Sequence, residues 1–436
     1  NIKDWLAKRK PYAEWIKNIV ELKKLIRSDS EPEYYSADEL CMRQRSAGWT
    51  MEDLETVLHP MAETGKEPIG SMGDDTPLAV LSKKYRGLHH FFRQNFSQVT
   101  NPPIDSLREY SVMSLKTRLG NLGNIFDESD DQTKLLQLDS PVLTNAEFAA
   151  MTEYMGKNAK WIDCTFEAQS GHGELTQAID YICQEAEDAV RGGAEHVILS
   201  DENISDGKAA IPMILAVGVV HSHLVNKKLR TFTSLNVRAA ECMDTHYFAV
   251  LIGVGATTVN AYLAQETIAD RYNRGLFGNF QYEELCRKYR DAVNAGLLKV
   301  LSKMGISVLS SYRGAYNFES VGLSRALVSK FFPGMPSRIS GIGLSGIKKR
   351  ILLQHQYAFE ADSNILPIGG LYKSRIGGES HAFDGNVIHT LQAAVETDSY
   401  ANYKRYTESV YSQPLTHLRD LLEFNSNCDS IPIDQV

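Results

Sequence analysis

Residues 196–237 read HVILSDENISDGKAAIPMILAVGVVHSHLVNKKLRTFTSLNV. The stretch begins with HVILSD (196–201) and ends with TFTSLNV (231–237), two short runs rich in β-branched and aromatic side chains, as in strands. The segment between them, AAIPMILAVGVVHSHLVNKK (209–228), is interpreted as a helix. A strand, a helix and a second strand in this order predict two parallel strands joined by a right-handed crossover.

The same alternation continues on both sides of this unit. Three further segments are strand-like: WIDCTFEA (161–168), HYFAVLIGVGA (246–256) and ISVLSSYRGA (306–315). Two more are helical: LTQAIDYICQEAEDAVRGG (175–193) and LCRKYRDAVNAGLLKVLSKMG (285–305). Five such strands are fewer than the eight of a closed barrel. The sequence therefore predicts an α/β fold with a parallel sheet, in an incomplete barrel-like central domain.

The two ends of the chain have a different pattern. Residues 1 to about 60 are charged and helical, as in a connector, and MEDLETVLHPMAETG (51–65) predicts an amphipathic helix that ends at Gly65. After about residue 365, glycines and tyrosine-rich helices predict a boundary and a helical or irregular C-terminal segment. Both ends are expected to be cuts in a longer polypeptide.

Composition excludes several classes of partner. The formal net charge is −8 and the pI about 5.9, so we expect neither nucleic acid nor an anionic membrane as a partner. The longest apolar run, residues 211–220, is half the length of a membrane span of ~20 residues. Six cysteines without a CxxC pair predict neither a zinc site nor an iron–sulfur cluster in this chain. Unpaired thiols fit a reducing cytosol, so a soluble, cytoplasmic protein is expected.

A proline-containing segment precedes the α/β region. Proline fixes φ and disfavours helix in the residue before it, so VTNPP (99–103) predicts a stiff, extended arm. Ser106 with Glu109 predicts a capped helix after the arm, in which Val112, Leu115 and Leu119 share a face and which ends at Gly120. Such an arm would hold the Thr100 hydroxyl and the Asn101 amide at a fixed position.

Four long segments carry a family resemblance: IGSMGDDTPLAVLS (69–82), FRQNFSQVTNPPIDSLRE (92–109), LSKMGISVLSSYRGA (301–315) and SRISGIGL (337–344). They resemble the large subunit of glutamate synthase, in the central region between its glutamine amidotransferase domain and its FMN-binding synthase domain. The resemblance implies the tail of the amidotransferase domain at residues 1–22, the central domain at 23–365 and the start of the FMN-binding domain at 366–436.

The resemblance also implies a function. The whole enzyme hydrolyses glutamine, passes the ammonia through an internal tunnel, adds it to 2-oxoglutarate and reduces the product with flavin-borne electrons. This segment would be a scaffold for both sites and would line part of the tunnel with Thr100 and Asn101, which match the family's TNPPID motif. A neutral, shielded lining suits ammonia, because a few neutral hydrogen-bonding groups hold it without bulk water. The alternative is that both side chains only satisfy backbone groups beside the prolines.

Cofactors and partners follow from the same resemblance. FMN and an iron–sulfur cluster are implied for the whole enzyme and none for this chain. The implied partners are the amidotransferase and FMN domains of the same polypeptide, and a small electron-donor subunit or ferredoxin. No catalytic residue is assigned, since there is no GxSxG motif and Cys41 is internal rather than N-terminal. The chain by itself is therefore expected to be inactive.

A different class of function remains open at the strand ends, where parallel α/β sheets bind ligands. Ser311, Arg313 and Gly314 form a candidate anion site, because backbone N–H groups at the start of a helix attract phosphate. The chain would then be a stand-alone α/β enzyme for a phosphorylated ligand. In the alternative interpretation Arg313 pairs with a carboxylate and the serines cap a helix. An open pocket at the strand ends would favour the enzyme and a filled one the scaffold.

Other polar clusters predict less. His221 and His223 are two residues apart and point to different sides of a helix, and His89 and His90 are adjacent, so no metal site is assigned to either pair. Residues 74–75, two aspartates after a glycine, are interpreted as a turn rather than as a magnesium site. A third possible function is an interaction module without a channel.

Overall fold

The computed structural model describes residues 1–26, 35–70, 73–96, 107–124, 126–168, 174–315, 317–361, 364–423, 431–432 and 434. The chain divides into two compact units. The first comprises Asn1–Ile69 and Tyr85–Pro367, and the second comprises Gly70–Lys84 and Ile368–Val436. The described strands all lie in the first unit.

The strands of the first unit are short. They are β1 (Val20–Glu21), β2 (Phe92–Gln94), β3 (Thr117–Leu119), β4 (Leu136–Leu138), β5 (Val142–Leu143), β6 (Ala159–Asp163), β7 (Thr165–Glu167), β8 (His196–Ser200), β9 (Lys208–Ala210), β10 (Ser234–Arg238), β11 (Thr258–Asn260), β12 (Phe318–Leu323) and β13 (Ile339–Ile342).

The α-helices of the first unit are α1 (Ile2–Lys8), α2 (Tyr12–Trp15), α3 (Ala37–Ser46), α4 (His59–Thr64), α5 (Glu109–Val112), α6 (Asn145–Met155), α7 (Glu174–Arg191), α8 (Met213–Asn226), α9 (Thr245–Gly253), α10 (Tyr262–Asn273), α11 (Tyr282–Met304), α12 (Arg325–Phe331) and α13 (Leu344–Glu360). A π-helical segment, Asp53–Leu58, leads into α4. Short 3₁₀ segments lie at Ile16–Asn18, Leu22–Lys24, Leu88–Phe91, Asp130–Thr133, Gly156–Asn158, Arg230–Phe232 and Leu309–Ser311.

The central sheet confirms the predicted fold class. Its five strands are all parallel, in the order β5-β11-β10-β8-β6, and the described residues form no closed barrel. Strand β8 is buried along its whole length and pairs with β10 from Ser234↔His196 to Arg238↔Ser200. Helix α8 lies between these two strands in the chain, so the strand–helix–strand unit read from residues 196–237 is present. Helices α7 and α11 are also present where the sequence predicted them.

The strand predicted at residues 246–256 is wrong, because this segment forms helix α9. The Asp244 side chain caps the helix by accepting a hydrogen bond from the backbone N–H of Tyr247. Nearly every residue of α9 is buried, so its apolar run has no polar face to mark the helical period. The strand itself comes later, as β11.

The strand predicted at residues 306–315 is also wrong. Only Val308 forms a bridge, to Ser114, and the chain then turns through the 3₁₀ segment. Gly305 and Gly314, at φ 68° and 65°, bound the segment with left-handed backbone, and the 3₁₀ segment between them takes the place of the expected strand.

The helix predicted after the proline arm is shorter than expected. Ser106 lies outside the described residues, α5 ends at Val112, and residues 117–119 form strand β3. The buried residues in this stretch alternate with more exposed ones: Met113, Leu115, Thr117 and Leu119. This period of two belongs to a strand, and it overrides the i, i+3, i+7 match that suggested a helix.

The predicted helix near residues 51–65 is present and ends at Gly65, whose φ of 70° lets it cap α4. The second unit contains helices α14 (Gly385–Glu396) and α15 (Tyr400–Tyr411) and a 3₁₀ segment, Leu418–Leu421. Among the described residues, no helix combines the length and apolar character needed to cross a membrane.

Candidate functional site

Thr100 and Asn101, the predicted tunnel residues, lie outside the described residues. The chain is described up to Phe96 on one side of the arm and from Leu107 on the other. Phe96 is 60% exposed, and Leu107 and Tyr110 are 91% and 89% exposed. The segments that flank the arm therefore present large apolar side chains to solvent rather than to the core of this unit.

The predicted anion residues do not lie at the carboxyl end of a sheet strand. They lie in and after the 3₁₀ segment, with Ser311 exposed and Arg313 largely buried. The Nε of Arg313 has no hydrogen-bond partner, and no described carboxylate forms an ion pair with this side chain. Burial lowers the pKa of Arg313. The structure places Arg313 and Gly314 beside His221 and Arg230 rather than in a helix start with Ser311.

The carboxyl edge of the central sheet holds a buried acid, Asp201, and a partly buried one, Glu241. Asp201 follows β8 directly and is 1% exposed, and both of its carboxylate oxygens accept from the backbone N–H of Ala240, at 3.1 and 2.9 Å. Burial, opposed in part by this hydrogen bond, raises the pKa of Asp201 to about 8, and the neighbouring Glu241 and Glu202 add to the shift. The carboxyl of Asp201 is thus held in its protonated form at neutral pH.

Glu241, shortly after β10, is the second acid. Its carboxylate accepts hydrogen bonds from the hydroxyl of Tyr247, from the hydroxyl of Tyr85 at 3.5 Å and from the backbone N–H of Met213 at 3.4 Å. Burial raises the pKa of Glu241, although these hydrogen bonds oppose the shift. In the sequence, Asp201 ends the strand-like run HVILSD (196–201), whereas Glu241 belongs to no predicted strand and was missed. The feature of the sequence that could have pointed to Glu241 is that it is the only acid in the apolar run at residues 239–243.

An ion pair borders the two acids. Arg238 donates from Nε and Nη2 to the two carboxylate oxygens of Glu202, both at 2.8 Å, and its guanidinium lies 4.8 Å from the ring centroid of Tyr262. The bidentate geometry and the aromatic face fix this arginine in place.

The space left at this edge is small. A cavity of about 20 Å³ lies among Asp201, Glu241, Tyr85, Arg43 and His355. About 10–15 Å³ of such volume holds one water molecule, so the cavity has room for about one water and not for a phosphorylated ligand. At the ends of β8 and β10, a position where α/β enzymes bind substrate, the described side chains therefore leave little space.

The described cysteines carry no reactive site. Cys41, Cys164, Cys242 and Cys286 are buried, and Cys183 is partly buried. Burial raises the pKa of each of these thiols, to about 12 for Cys183 and Cys286, so they are poor nucleophiles at neutral pH. Within the described ranges, no three or more His, Cys, Asp or Glu side chains are grouped so as to hold a metal ion.

A larger cavity of about 680 Å³ lies close to the C-terminal flank of the arm. Tyr110 and Met113 line it from the arm side, and Leu22 lines it from the connector. Its lining includes six charged side chains, from Glu21, Lys23, Lys116, Asp139, Glu147 and Arg290. A charged lining retains bulk water, so this cavity differs from the neutral, dry passage that ammonia requires.

Comparison with known proteins gives a consistent result. A family model described as the glutamate synthase central domain matches residues 42–324. Over its whole length the chain is 61% identical to the glutamate synthase [NADPH] large chain of Azospirillum brasilense, of which it covers 29%. It is 37% identical to the glutamate synthase [NADPH] large chain of Bacillus subtilis and to the chloroplastic ferredoxin-dependent glutamate synthase of Spinacia oleracea, and covers 28% of each.

The chain therefore spans little more than a quarter of the length of these relatives. Among solved structures, a mutant flavocytochrome b2 with benzoylformate aligns over 64% of this chain and 91% of that one, with 10% identity and a TM-score of 0.33. A likeness at this level supports no conclusion about fold or function.

Proposed function

The chain belongs to the glutamate synthase family, and we propose that it acts there as the central scaffold between the glutamine-hydrolysing and glutamate-forming sites. The observation that carries this proposal is the small space at the ends of β8 and β10, where the cavity among the described residues has a volume of about 20 Å³. A small space at the position where α/β enzymes bind substrate fits a domain that serves its enzyme by position rather than by chemistry.

In this proposal residues 1–22 are the tail of the amidotransferase domain, 23–365 the central domain and 366–436 the start of the FMN-binding domain. The side chains of the terminal helix support a contact with further protein. Tyr400 and Tyr403 of α15 stack with ring centroids 6.1 Å apart, and Tyr403 and Tyr406 follow at 5.9 Å. Tyr400 is 70% exposed, so this row of rings offers an amphipathic surface of the kind found in interfaces.

Thr100 and Asn101 line the ammonia passage in this proposal. Their hydroxyl and amide are neutral groups that can hydrogen-bond ammonia without binding it as a charged ion. The exposed apolar side chains on both sides of the arm, Phe96 and Leu107, support a position against another domain. The charged cavity near Tyr110 lacks this character, so it is not assigned to the passage.

Two substitutions in the full-length enzyme test the passage. Asn101→Leu should obstruct it with an apolar branch, and Thr100→Val should remove one hydroxyl at nearly constant shape, a loss of about 0.5–1.5 kcal/mol of hydrogen bonding. The expected result is uncoupling: glutamine is still hydrolysed, glutamine-dependent glutamate formation falls, and synthesis from added ammonia persists.

A matched control distinguishes obstruction from a folding defect. Asn158→Leu makes the same change at an exposed amide and should alter neither rate. A general defect would lower the glutamine-driven and ammonia-driven rates together. If Asn101→Leu leaves these two rates in their wild-type ratio, the passage does not run past this residue.

The complete reaction of the whole protein belongs to the same proposal: L-glutamine and 2-oxoglutarate give L-glutamate with electrons delivered through FMN and an iron–sulfur cluster, in the cytoplasm. The buried thiols of the described residues form no ligand set for an iron–sulfur cluster, so the cluster is assigned to another part of the polypeptide, and FMN is assigned to the FMN-binding domain. The electron donor in this proposal is either NADPH through a small subunit or ferredoxin, since the chain is 37% identical both to an NADPH-named relative and to a ferredoxin-named one. Steady-state assays with each donor decide between them.

A further inference from the structure

An apolar cavity of about 190 Å³ lies in the first unit, away from the carboxyl edge of the sheet. Phe331, Phe332, Pro333 and Met335 form one wall, and helix α8 contributes the other. Val225, at the mouth, is 49% exposed, so the cavity can be reached from solvent. An apolar cavity of roughly 150 Å³ holds a benzene molecule, so this one has room for a ring or short chain with a small polar group.

The side chain of His221, which lines the cavity, is held in one ring orientation and one tautomer. The Nδ1 of His221 accepts a hydrogen bond from the Nε of Arg230 at 3.1 Å, which places the ring proton on Nε2. Two glycines fix the ring: a Cβ on Gly255 would lie 2.3 Å from its Cγ, and a Cβ on Gly314 would lie 2.9 Å from its Cε1. His221 thus presents a fixed, neutral N–H donor to the cavity.

Two arginines lie behind this histidine without a compensating acid. The guanidinium of Arg230 donates to the carbonyl oxygens of Thr233 and Gly255 and to the hydroxyl of Thr257, which are all neutral acceptors. Burial lowers the pKa of Arg230, and the nearby charge of Arg313 lowers it further, to about 9. No described carboxylate pairs with either arginine. Two partly desolvated cations without an anion produce a strong positive potential.

From this geometry we propose that the cavity binds a small amphipathic carboxylate. The apolar body occupies the space beside Phe331 and Phe332, and the carboxylate lies at the His221 end, where the Nε2–H donates to it and Arg230 and Arg313 attract its charge. The burial of His221 beside the two arginines lowers its pKa to about 3, so it remains a neutral donor when the anion arrives.

The apolar walls select the ligand class. Inorganic phosphate or a sugar phosphate would leave most of its polar surface against phenylalanine and methionine side chains, which is costly. A neutral ligand of the same shape would gain the apolar contacts but not the attraction to the arginines. This site does not depend on the scaffold role or on the ammonia passage.

The test compares benzoate with benzyl alcohol on the full-length protein, by ligand-observed NMR and calorimetry. Benzoate should bind about tenfold or more tightly than the alcohol. Arg313→Gln should weaken benzoate about tenfold and leave the alcohol unchanged, whereas Lys330→Gln, which removes an exposed cation from the neighbouring helix α12, should change neither.

A second variant covers the case in which loss of a buried arginine unfolds the protein. Val225→Trp adds a ring at the exposed mouth and should abolish binding of both probes without affecting the thermal transition. Equal affinities for the acid and the alcohol, absence of binding, or an effect of Lys330→Gln as large as that of Arg313→Gln would each overturn the carboxylate site.

Discussion

Asp201→Asn tests the buried acids at the carboxyl edge of the sheet. The carboxyl of Asp201 is 1% exposed, and its pKa is raised to about 8, chiefly by burial. The pKa of an unfolded aspartate is about 3.9. Because the folded value is the higher one, the native state keeps a proton that the unfolded state releases. The stability of the native state is therefore greatest below about pH 4 and falls as the pH rises to about 8.

The size of this loss of stability follows from the difference between the folded and unfolded pKa values of Asp201. Each pH unit between the two pKa values costs about 1.4 kcal/mol, so the wild type loses up to roughly 4 kcal/mol between pH 5 and pH 8 through this group alone. Asparagine cannot ionise, and its amide oxygen can still accept from the backbone N–H of Ala240. The variant should therefore gain stability relative to the wild type as the pH rises.

Differential scanning calorimetry at pH 5, 6, 7 and 8 measures this difference. Comparison of variant with wild type removes the contributions of titrating groups that are distant from Asp201, because these are common to both. Since 1 kcal/mol corresponds to about 2 °C or less in a protein of this size, the relative Tm should shift by several degrees over the range. Glu241→Gln should shift in the same direction, because burial raises the pKa of that carboxyl too.

The control is Asp206→Asn, which removes an exposed carboxylate from the same loop and tests whether net charge alone produces the effect. If the Tm profiles of Asp201→Asn and the wild type run parallel from pH 5 to pH 8, Asp201 does not hold its proton in the native state, and the explanation based on burial is wrong.

Two further substitutions test the packing. Gly341→Ala places a Cβ 2.0 Å from the carbonyl oxygen of Gly322, so β12 and β13 should separate and the Tm measured by calorimetry should fall. The control Gly385→Ala, whose Cβ would lie in open space, should have little effect on the Tm. Phe318→Ala removes a fully buried ring that packs edge-on to Phe92 and Tyr312, at an expected cost of about 3–5 kcal/mol. In urea unfolding, the exposed control Leu353→Ala should lie within about 0.5 kcal/mol of wild type, and an equal loss for both variants would contradict this role for Phe318.

The candidate site could be predicted only in part. Asp201 was identifiable because it follows a clear strand, and in a parallel sheet that position lies at the ligand-binding edge. Glu241 was not, because only the pairing of β8 with β10 brings it beside Asp201. The partners of Arg313 were equally hidden, since His221 and Arg230 come from other parts of the chain.

The amino-acid sequence by itself determined the α/β class, the parallel sheet and the family, because alternating apolar segments and long family motifs are local properties of the chain. Tertiary structure alone decided that residues 246–256 form a helix, since a run buried on all sides has no periodic polar face. It also decided that little space remains at the ends of β8 and β10 and that Arg230 and Arg313 meet without an acid among the described residues. Available volume and desolvation depend on how distant segments pack, and no local pattern records them.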